Sequence, residues 1–512
     1  MSFTLNSNQI LEQMHIIRAP FLIQTDSYKA GHAQMYPEVE EMTAYMECRG
    51  PFSEAFDDRI LFYGMRYLYE TLISRRITMQ DIEEADAWYA HHGVAKSKFY
   101  YPRDIWLAVI QENNGYIPVE IKALPEGTVM YPHVPFIQIT ARGKYAHLVT
   151  WLETRLTHIW SPIVTATKSR MVWDYLRQKF LTSVDEDMQW LLASRLHDFG
   201  YRGVSSEETA MTTGVAHLLS FEGTDTMTAG WLATKFNNGV PVGESVLASE
   251  HSVMTSWDTE LEAVKHLIDI APEGAILSVV ADSYDYENFL ANILPEVAPL
   301  SKAKNLLFVI RPDSGDPVIA VEQALIFAER AFGATINSKG YKVLTGAAVI
   351  QGDGLDYNMI CRVADAVEYL RYSAQCVAYG MGGGLLQKQN RDTLRVATKL
   401  SRIVVNGQAK DRMKHPKTDR TKFSLPGSFA VYEESNALTV VPEGTNTWSD
   451  HRINTDIMVK IWDSGPTDYV FDDFSVVRER ATEQWLRRPA RATNVISPEL
   501  KEKISEILKS VE

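Results

Sequence analysis

A β/α barrel carrying the chemistry, joined to a second, smaller mixed α+β domain, is the fold that the sequence predicts. Three observations lead there. Between about residue 190 and 395, short apolar runs recur at roughly 30–40 residues, the spacing of a strand with its crossover helix. Each run ends in a polar, glycine-bearing loop, as expected where barrel strands reach a C-terminal rim. The chain on either side reads as mixed helix and strand, without repeats, low-complexity tracts or a long linker. The expected division is 186–399 for the barrel and 1–185 together with 400–512 for the smaller domain. A doubly wound open sheet is the alternative for the same βα units.

The first segment, Asp57–Ile77, has helical patterning, as does Thr78–Ala90. Pro118–Thr140 alternates like a β-hairpin. Trp151–Ser183 reads as a long helix broken at Ser161-Pro162, because the residue before a proline disfavours the helical conformation. The barrel strands are Ile276–Val280 before Asp282, Leu306–Ile310 before Arg311, Ala347–Ile350 before Gln351, and Cys376–Tyr379 before Gly380. Their near-continuous apolar character suits a parallel sheet buried on both faces. Beyond residue 400, strands are expected at 402–406, 428–432 and 437–441, joining the N-terminal segment. Ser497-Pro498 starts a final amphipathic helix.

Composition narrows the function. A chain of 512 residues with 45% apolar and 23% charged residues fits a globular protein of two or three domains. The net charge of -14 disfavours broad nucleic-acid binding but permits an anionic substrate in a locally cationic cleft. Three cysteines without paired spacing argue against a disulfide scaffold or structural zinc and suit a reducing cytoplasm. Residues 1–18 lack the pattern of a secretory signal, and no apolar run is long enough for a membrane span.

Chemistry gathers in the loops. His197–Ser206 places an acid, two aromatic plates and Arg202 around Gly200 and Gly203, so that a planar base can stack while the cation meets an anion. Arg311-Pro312-Asp313-Ser314-Gly315-Asp316-Pro317 combines a phosphate-gripping guanidinium with two carboxylates for ribose hydroxyls or, through water, Mg²⁺; an Arg–Asp pair closing a strand end is the plainer reading. Gln351-Gly352-Asp353-Gly354 bares backbone for sugar or phosphate, or forms a tight turn. Gly380–Gln387 opens a helix whose N–H groups can seat phosphate. It is not a dinucleotide fingerprint, since Leu385 stands where the last glycine belongs, and the chain has no Walker A motif. Asp225, at the tip of Phe221–Thr226, can accept from a ligand amide or cap a helix. His251 beside Glu250 reads by itself as a structural histidine more than as a catalyst, and Thr25–Lys29 as a capped turn.

Together these motifs, in this order from about residue 20 to 480, resemble the nicotinamide phosphoribosyltransferase family, with nicotinate phosphoribosyltransferases as more distant relatives. The resemblance implies synthesis of nicotinamide mononucleotide and pyrophosphate from nicotinamide and phosphoribosyl pyrophosphate, with Mg²⁺, and with ATP as co-substrate. It implies a homodimer with shared sites. Phe199 would stack one face of the pyridine and Tyr28 of the partner subunit the other; Asp225 would hold the carboxamide, and Arg202 would lie between ring and sugar. Arg311, with the partner's Arg49, Arg391 and Lys399, would meet phosphates. Asp313 would hold the ribose hydroxyls, and Gly352, Gly383 and Gly384 the 5′-phosphate. Asp282 and Asp353 are the carboxylates for ribose or metal, Ser278 joins the substrate-binding set, and His251 matches a histidine that ATP phosphorylates. No set of metal-ligating side chains is implied, Mg²⁺ riding mainly on pyrophosphate oxygens. The family's basic loop corresponds only loosely to Lys414-His415-Pro416-Lys417, which is shorter. Competing readings are a nicotinate-preferring transferase, a non-catalytic ligand-binding dimer, and a sugar-phosphate isomerase; the last does not explain paired aromatics with an amide-reading acid.

Overall fold

The computed structural model describes residues 19–52, 56–416, 423–434, 436–445, 448–449, 452–453, 455–491 and 494–511. Six parallel strands form its catalytic sheet: β1 (Leu196–Asp198), β2 (Leu247–Ala248), β3 (Ile276–Val280), β4 (Leu307–Arg311), β5 (Ala347–Gln351) and β6 (Val377–Met381). Their spatial order is β1-β6-β5-β4-β3-β2. The two edges curl towards each other and are stitched by short parallel bridges, Thr224 to Asp198 and Gly223 to Glu244. The Asp198 N–H donates to Gly223 O at 3.1 Å, and the Thr224 N–H to Glu244 O at 2.9 Å. The result is a curled, nearly closed barrel.

Burial explains why the strands read as continuous apolar runs. Phe308, Ile310, Val349 and Val377 pack outward against the surrounding helices through Ala324, Leu325, Val363 and Val367. Val309, Ala348 and Ile350 form a second, small cluster with Phe199 and Ala378. Residues of opposite parity face opposite sides of a strand, so this cluster fills the barrel's inner face. Proline and acidic caps start the outer helices cleanly. Asp316 Oδ1 accepts from the Val318 and Ile319 N–H groups ahead of the helix Pro317–Phe332. Asp356 does the same for Tyr357–Tyr369. These two loop acids are therefore structural caps.

A six-stranded antiparallel sheet brings the chain ends together, in the order 408–411, 397–405, 41–47, 135–142, 119–123, 459–463. The helix Trp160–Ser183 ties it to the barrel, its first half (Ile163, Val164, Ala166) in one core and its second (Val172, Leu176, Phe180) in the other.

Several expectations need correction. Helix does not begin at Asp57: Ile60–Leu61 is a strand paired with Val129–Met130, and the helix starts at Met65 after Gly64, which sits at φ 109°. The break in the long helix falls near His158-Ile159, leaving Pro162 in the first turn, where its missing N–H costs nothing. The helix opened by the Gly380 loop is a short one, Gly383–Leu386. Phe429–Glu434 and Ala437–Pro442 join the N-terminal segment as expected, as a separate hairpin packed on the six-stranded sheet through Tyr45 against Phe429. The final helix is present as Pro498–Val511. Lys417 and the N-terminal stretch 1–18 lie outside the described residues.

Candidate active site

The rim loops after β3 and β4 meet through their acids. Asp282 Oδ2 accepts from the Asp313 N–H at 3.0 Å and from the Ser314 hydroxyl. His251 stands over this pair at the start of the helix His251–Thr255. Its Nε2 is 3.3 Å from Asp313 Oδ2 and 3.9 Å from Asp282 Oδ1, while its Nδ1 is 3.1 Å from Ser283 Oγ. The imidazole is thus oriented at both nitrogens, yet its side chain is 46% exposed and reachable by a ligand. Asp282 Oδ1 is buried without a hydrogen-bond partner among the described residues.

The glycines make room for Phe199. A Cβ on Gly380 would fall inside the Phe199 ring, 2.8 Å from Cζ and nearer still to Cε2 and Cδ2. A Cβ on Gly352 would lie 3.3 Å from Asp313 Oδ1, 3.4 Å from Phe199 Cε2 and 3.6 Å from Arg311 Cδ. An aromatic plate, an acid and a guanidinium stem therefore converge on one glycine. The main chain of Phe199 is fixed by its N–H to Met381 O at 3.1 Å. Arg311 Nε is buried without a protein acceptor among the described residues, which suits an anion.

Asp225 adjoins the aromatic. Its N–H donates to Asp198 O at 2.9 Å, and its exposed carboxylate accepts from Ser245 Oγ at 2.6 Å. Beneath it, burial pushes the Asp198 carboxyl up to about 6, although the Gly200 N–H donates to Oδ1 at 2.7 Å and favours the ionised form. Arg202 is exposed on the turn Tyr201–Gly203. That turn lies against Gly383, whose backbone is 3.3 Å from where a Gly203 Cβ would be. Gly384 must lack a side chain, since a Cβ would sit 2.7 Å from Leu355 O. Asp353 is exposed, and its carbonyl is held by Gln351 Nε2 at 2.9 Å. Ser278 is buried in mid-strand, in register with Val309 and hence on the inner face.

Tyr28, Arg49, Lys399 and Arg391 are placed elsewhere. Tyr28 is 58% exposed, with its ring against His32 and Lys29, and Lys29 pairs with Glu153. Lys399 is held below the usual lysine range by burial and then by Arg49, with Glu153 opposing. Arg49 Nε donates to Arg395 O at 3.3 Å. These form a cationic group beside the antiparallel sheet, and among the described residues no named contact joins it to the Phe199–Gly352 group. Arg391 is exposed and contacts only its neighbour Asp392, at 3.4 Å, among the named ion pairs.

Three contributors were not singled out from sequence. Ser283 follows Asp282 and Ser314 follows Asp313, where their hydroxyls gave no separate signal; Lys168, in mid-helix, donates to Gly384 O at 2.8 Å and steadies the glycine turn. A cavity of about 330 Å³ opens beside the turn, bordered by Ser205, Ser206, Gln387, Arg155 and Phe236. None of the predicted site side chains lines it. Among the described residues no group of three or more His, Cys, Asp or Glu is arranged for a metal, and no helix is long and apolar enough to cross a membrane.

A strand-end rim that brings Arg311, Asp313, His251 and a glycine turn together is where a β/α barrel carries an active site. Comparison with known proteins gives its family. Residues 20–121 match the model of the nicotinamide phosphoribosyltransferase N-terminal domain, and residues 194–441 that of the nicotinate phosphoribosyltransferase (NAPRTase) family. A nicotinamide phosphoribosyltransferase of Xanthomonas campestris pv. campestris is 36% identical over 455 residues, covering 87% of this chain and 94% of that one. One from Acinetobacter baylyi is 29% identical, covering 81% and 88%. The fold is shared with a nicotinate-nucleotide pyrophosphorylase of Pyrococcus furiosus at a TM-score of 0.61 and 15% identity, covering 95% of this chain and 98% of that chain. The chain belongs to the type II phosphoribosyltransferases, in the nicotinate and nicotinamide phosphoribosyltransferase family. Its activity is phosphoribosyl transfer in the salvage of NAD precursors.

Proposed function

We propose that this enzyme joins nicotinamide to 5-phosphoribosyl 1-pyrophosphate, giving nicotinamide mononucleotide and pyrophosphate, with ATP hydrolysis coupled through phosphorylation of His251. The observation that carries the reading is the convergence of Phe199, Asp313 and Arg311 on Gly352, with His251 on Asp313. Phe199 stacks the pyridine so that its ring nitrogen faces C1 of the ribose, and much of the rate enhancement is this positioning. The nitrogen supplies the electron pair that forms the new C1–N bond. The C1–O bond breaks, and pyrophosphate leaves with its electrons; no proton moves, because the ring nitrogen carries none. Asp313 stabilises the cationic sugar, and Arg311 the departing charge. Mg²⁺ brought in on the pyrophosphate would add to that neutralisation, with Asp282 and Asp353 as the carboxylates able to meet it through water.

Asp225 reads the base: its carboxylate accepts from a carboxamide NH₂ and repels a carboxylate. Tyr28, Arg49, Arg391 and Lys399 act on the neighbouring copy's site in a homodimer, which accounts for their separation from Phe199. Glycine backbone at 352, 383 and 384 seats the 5′-phosphate. ATP gives its γ-phosphoryl group to His251, and water later releases it. A cytoplasmic setting belongs to the same proposal. Nicotinate is the competing base, because the family model that matches the barrel carries that name.

The test is mass-spectrometric detection of the mononucleotide after incubation with phosphoribosyl pyrophosphate and either base, with and without ATP. Nicotinamide turnover above nicotinate is expected, and the reverse would overturn the Asp225 assignment. His251→Ala should abolish ATP hydrolysis yet leave slow ATP-independent synthesis; retained hydrolysis removes His251 from the coupling. Absence of any mononucleotide leaves a non-catalytic ligand-binding dimer.

A further inference from the structure

Beneath the His251 site lies a carboxyl that the transfer chemistry does not use. Glu260 is the first residue of the helix Glu260–Ile270, following the cap Thr259, whose hydroxyl accepts from the Glu262 N–H at 3.2 Å. An acid in a first helical turn is ordinarily a solvated one, favoured by the helix dipole. Glu260 is instead only 6% exposed, and its Oε1 is buried with no hydrogen-bond partner among the described residues. Its carboxyl faces the Ser283 N–H and lies in the field of Asp282, Asp285 and His251. Asp282 carries a second buried, unpartnered oxygen, Oδ1, on the same loop. Burial, then the charges of Asp282 and Asp285, raise the Glu260 carboxyl above its ordinary range.

That loop is what orients the histidine. Ser283 Oγ meets His251 Nδ1, and Asp282 fixes the Asp313 main chain, whose carboxylate meets Nε2. We propose that Glu260 is a positioning residue for His251, its buried carboxyl set against the Ser283 main chain so that the Ser283 hydroxyl presents itself to the imidazole Nδ1. It touches neither substrate nor the reacting atoms. The part that concerns ATP coupling rests on the phosphohistidine reading; the part that concerns the imidazole does not.

The experiment compares Glu260→Ala and Glu260→Gln in the full chain, with two readouts. The first is the ¹⁵N and ¹³C signals of the His251 ring in histidine-labelled protein, assigned with His251→Ala. Glu260→Ala should shift them, and Glu260→Gln, which keeps the shape and an acceptor oxygen for the Ser283 N–H, should restore them; an unmoved ring in the alanine variant overturns the proposal whether or not ATP is used. The second is phosphohistidine formed from ATP. Misplacing a reacting group by about 1 Å costs about 100-fold. Glu260→Ala should lose phosphohistidine on that scale while ATP-independent synthesis stays near wild type. If synthesis without ATP falls in the same proportion, Glu260 is merely structural and the proposal fails. A wild-type enzyme that forms no phosphohistidine overturns the coupling reading instead, and the ring signals still decide the role of Glu260.

Discussion

Gly380→Ala is the sharpest perturbation of the base seat. The added methyl would sit 2.8 Å from Phe199 Cζ and closer to two other ring carbons. Carbon atoms rest at about 3.5–4.0 Å, so the ring must move by about 1–2 Å. Such overpacking costs about 1–3 kcal/mol when the neighbours are tight, and Phe199 is backed by Val309, Ala348 and Ile350. Misplacing a positioning group by about 1 Å costs about 100-fold in rate. Steady-state kcat/KM for the base should therefore fall by about that factor, with a lower Tm. The control is the same substitution in a Phe199→Ala background, where the clash has no target. There Gly380→Ala should cost almost nothing further, a coupling characteristic of groups in contact. Equal losses in both backgrounds would show that Gly380 acts through something other than Phe199 and would refute the reasoning.

Asp225→Asn should reduce the preference for nicotinamide over nicotinate by removing the charge that repels a carboxylate; unchanged relative kcat/KM for the two bases would discard this role. Asp198 gives a pH signature. Its folded value of about 6 lies above the unfolded value near 4, so its neutral form is favoured in the fold. The stability this contributes is complete below the unfolded value and is lost as pH rises through about 6, amounting to about 3 kcal/mol. Asp198→Asn should accordingly gain on wild type in thermal melts as pH rises from about 4 to above 6, whereas a pH-independent difference in Tm would contradict the burial argument.

The parts of the barrel legible in sequence were those where chemistry and pattern coincide. Ile276–Val280 was delimited correctly because both its faces are covered, so an unbroken apolar run ends at a polar rim. The run Ile60–Tyr63 is equally apolar but short, and a short apolar run does not distinguish strand from helix; only the left-handed Gly64 marks where the helix begins. Alternation found the strands at 429–442 without revealing which sheet they join, since period two reports a half-buried face and not a neighbour. Glu260 was illegible for a different reason. Thr259-Glu260-Leu261-Glu262 reads as an ordinary helix start, and the acids Asp282 and Asp285 that surround Glu260 in the fold are more than twenty residues away in sequence.

The placement of the candidate residues also separates two kinds of binding cost. Phe199, Asp313 and His251 are held before any ligand arrives: one by a main-chain bond to Met381, one by Asp282, one by contacts at both ring nitrogens. Their ordering entropy is met by folding, so their interaction energy is available at the reacting centre. Tyr28, Arg202, Asp353 and Arg391 are exposed, and fixing each long side chain costs about 0.5–1.5 kcal/mol on binding. A charged substrate can meet that cost through several phosphate contacts at once, whereas the small neutral base cannot. On the proposed reading, the seat for the base is accordingly the part built most firmly into the barrel, and of the phosphate-side cations Arg202 and Arg391 are the exposed ones.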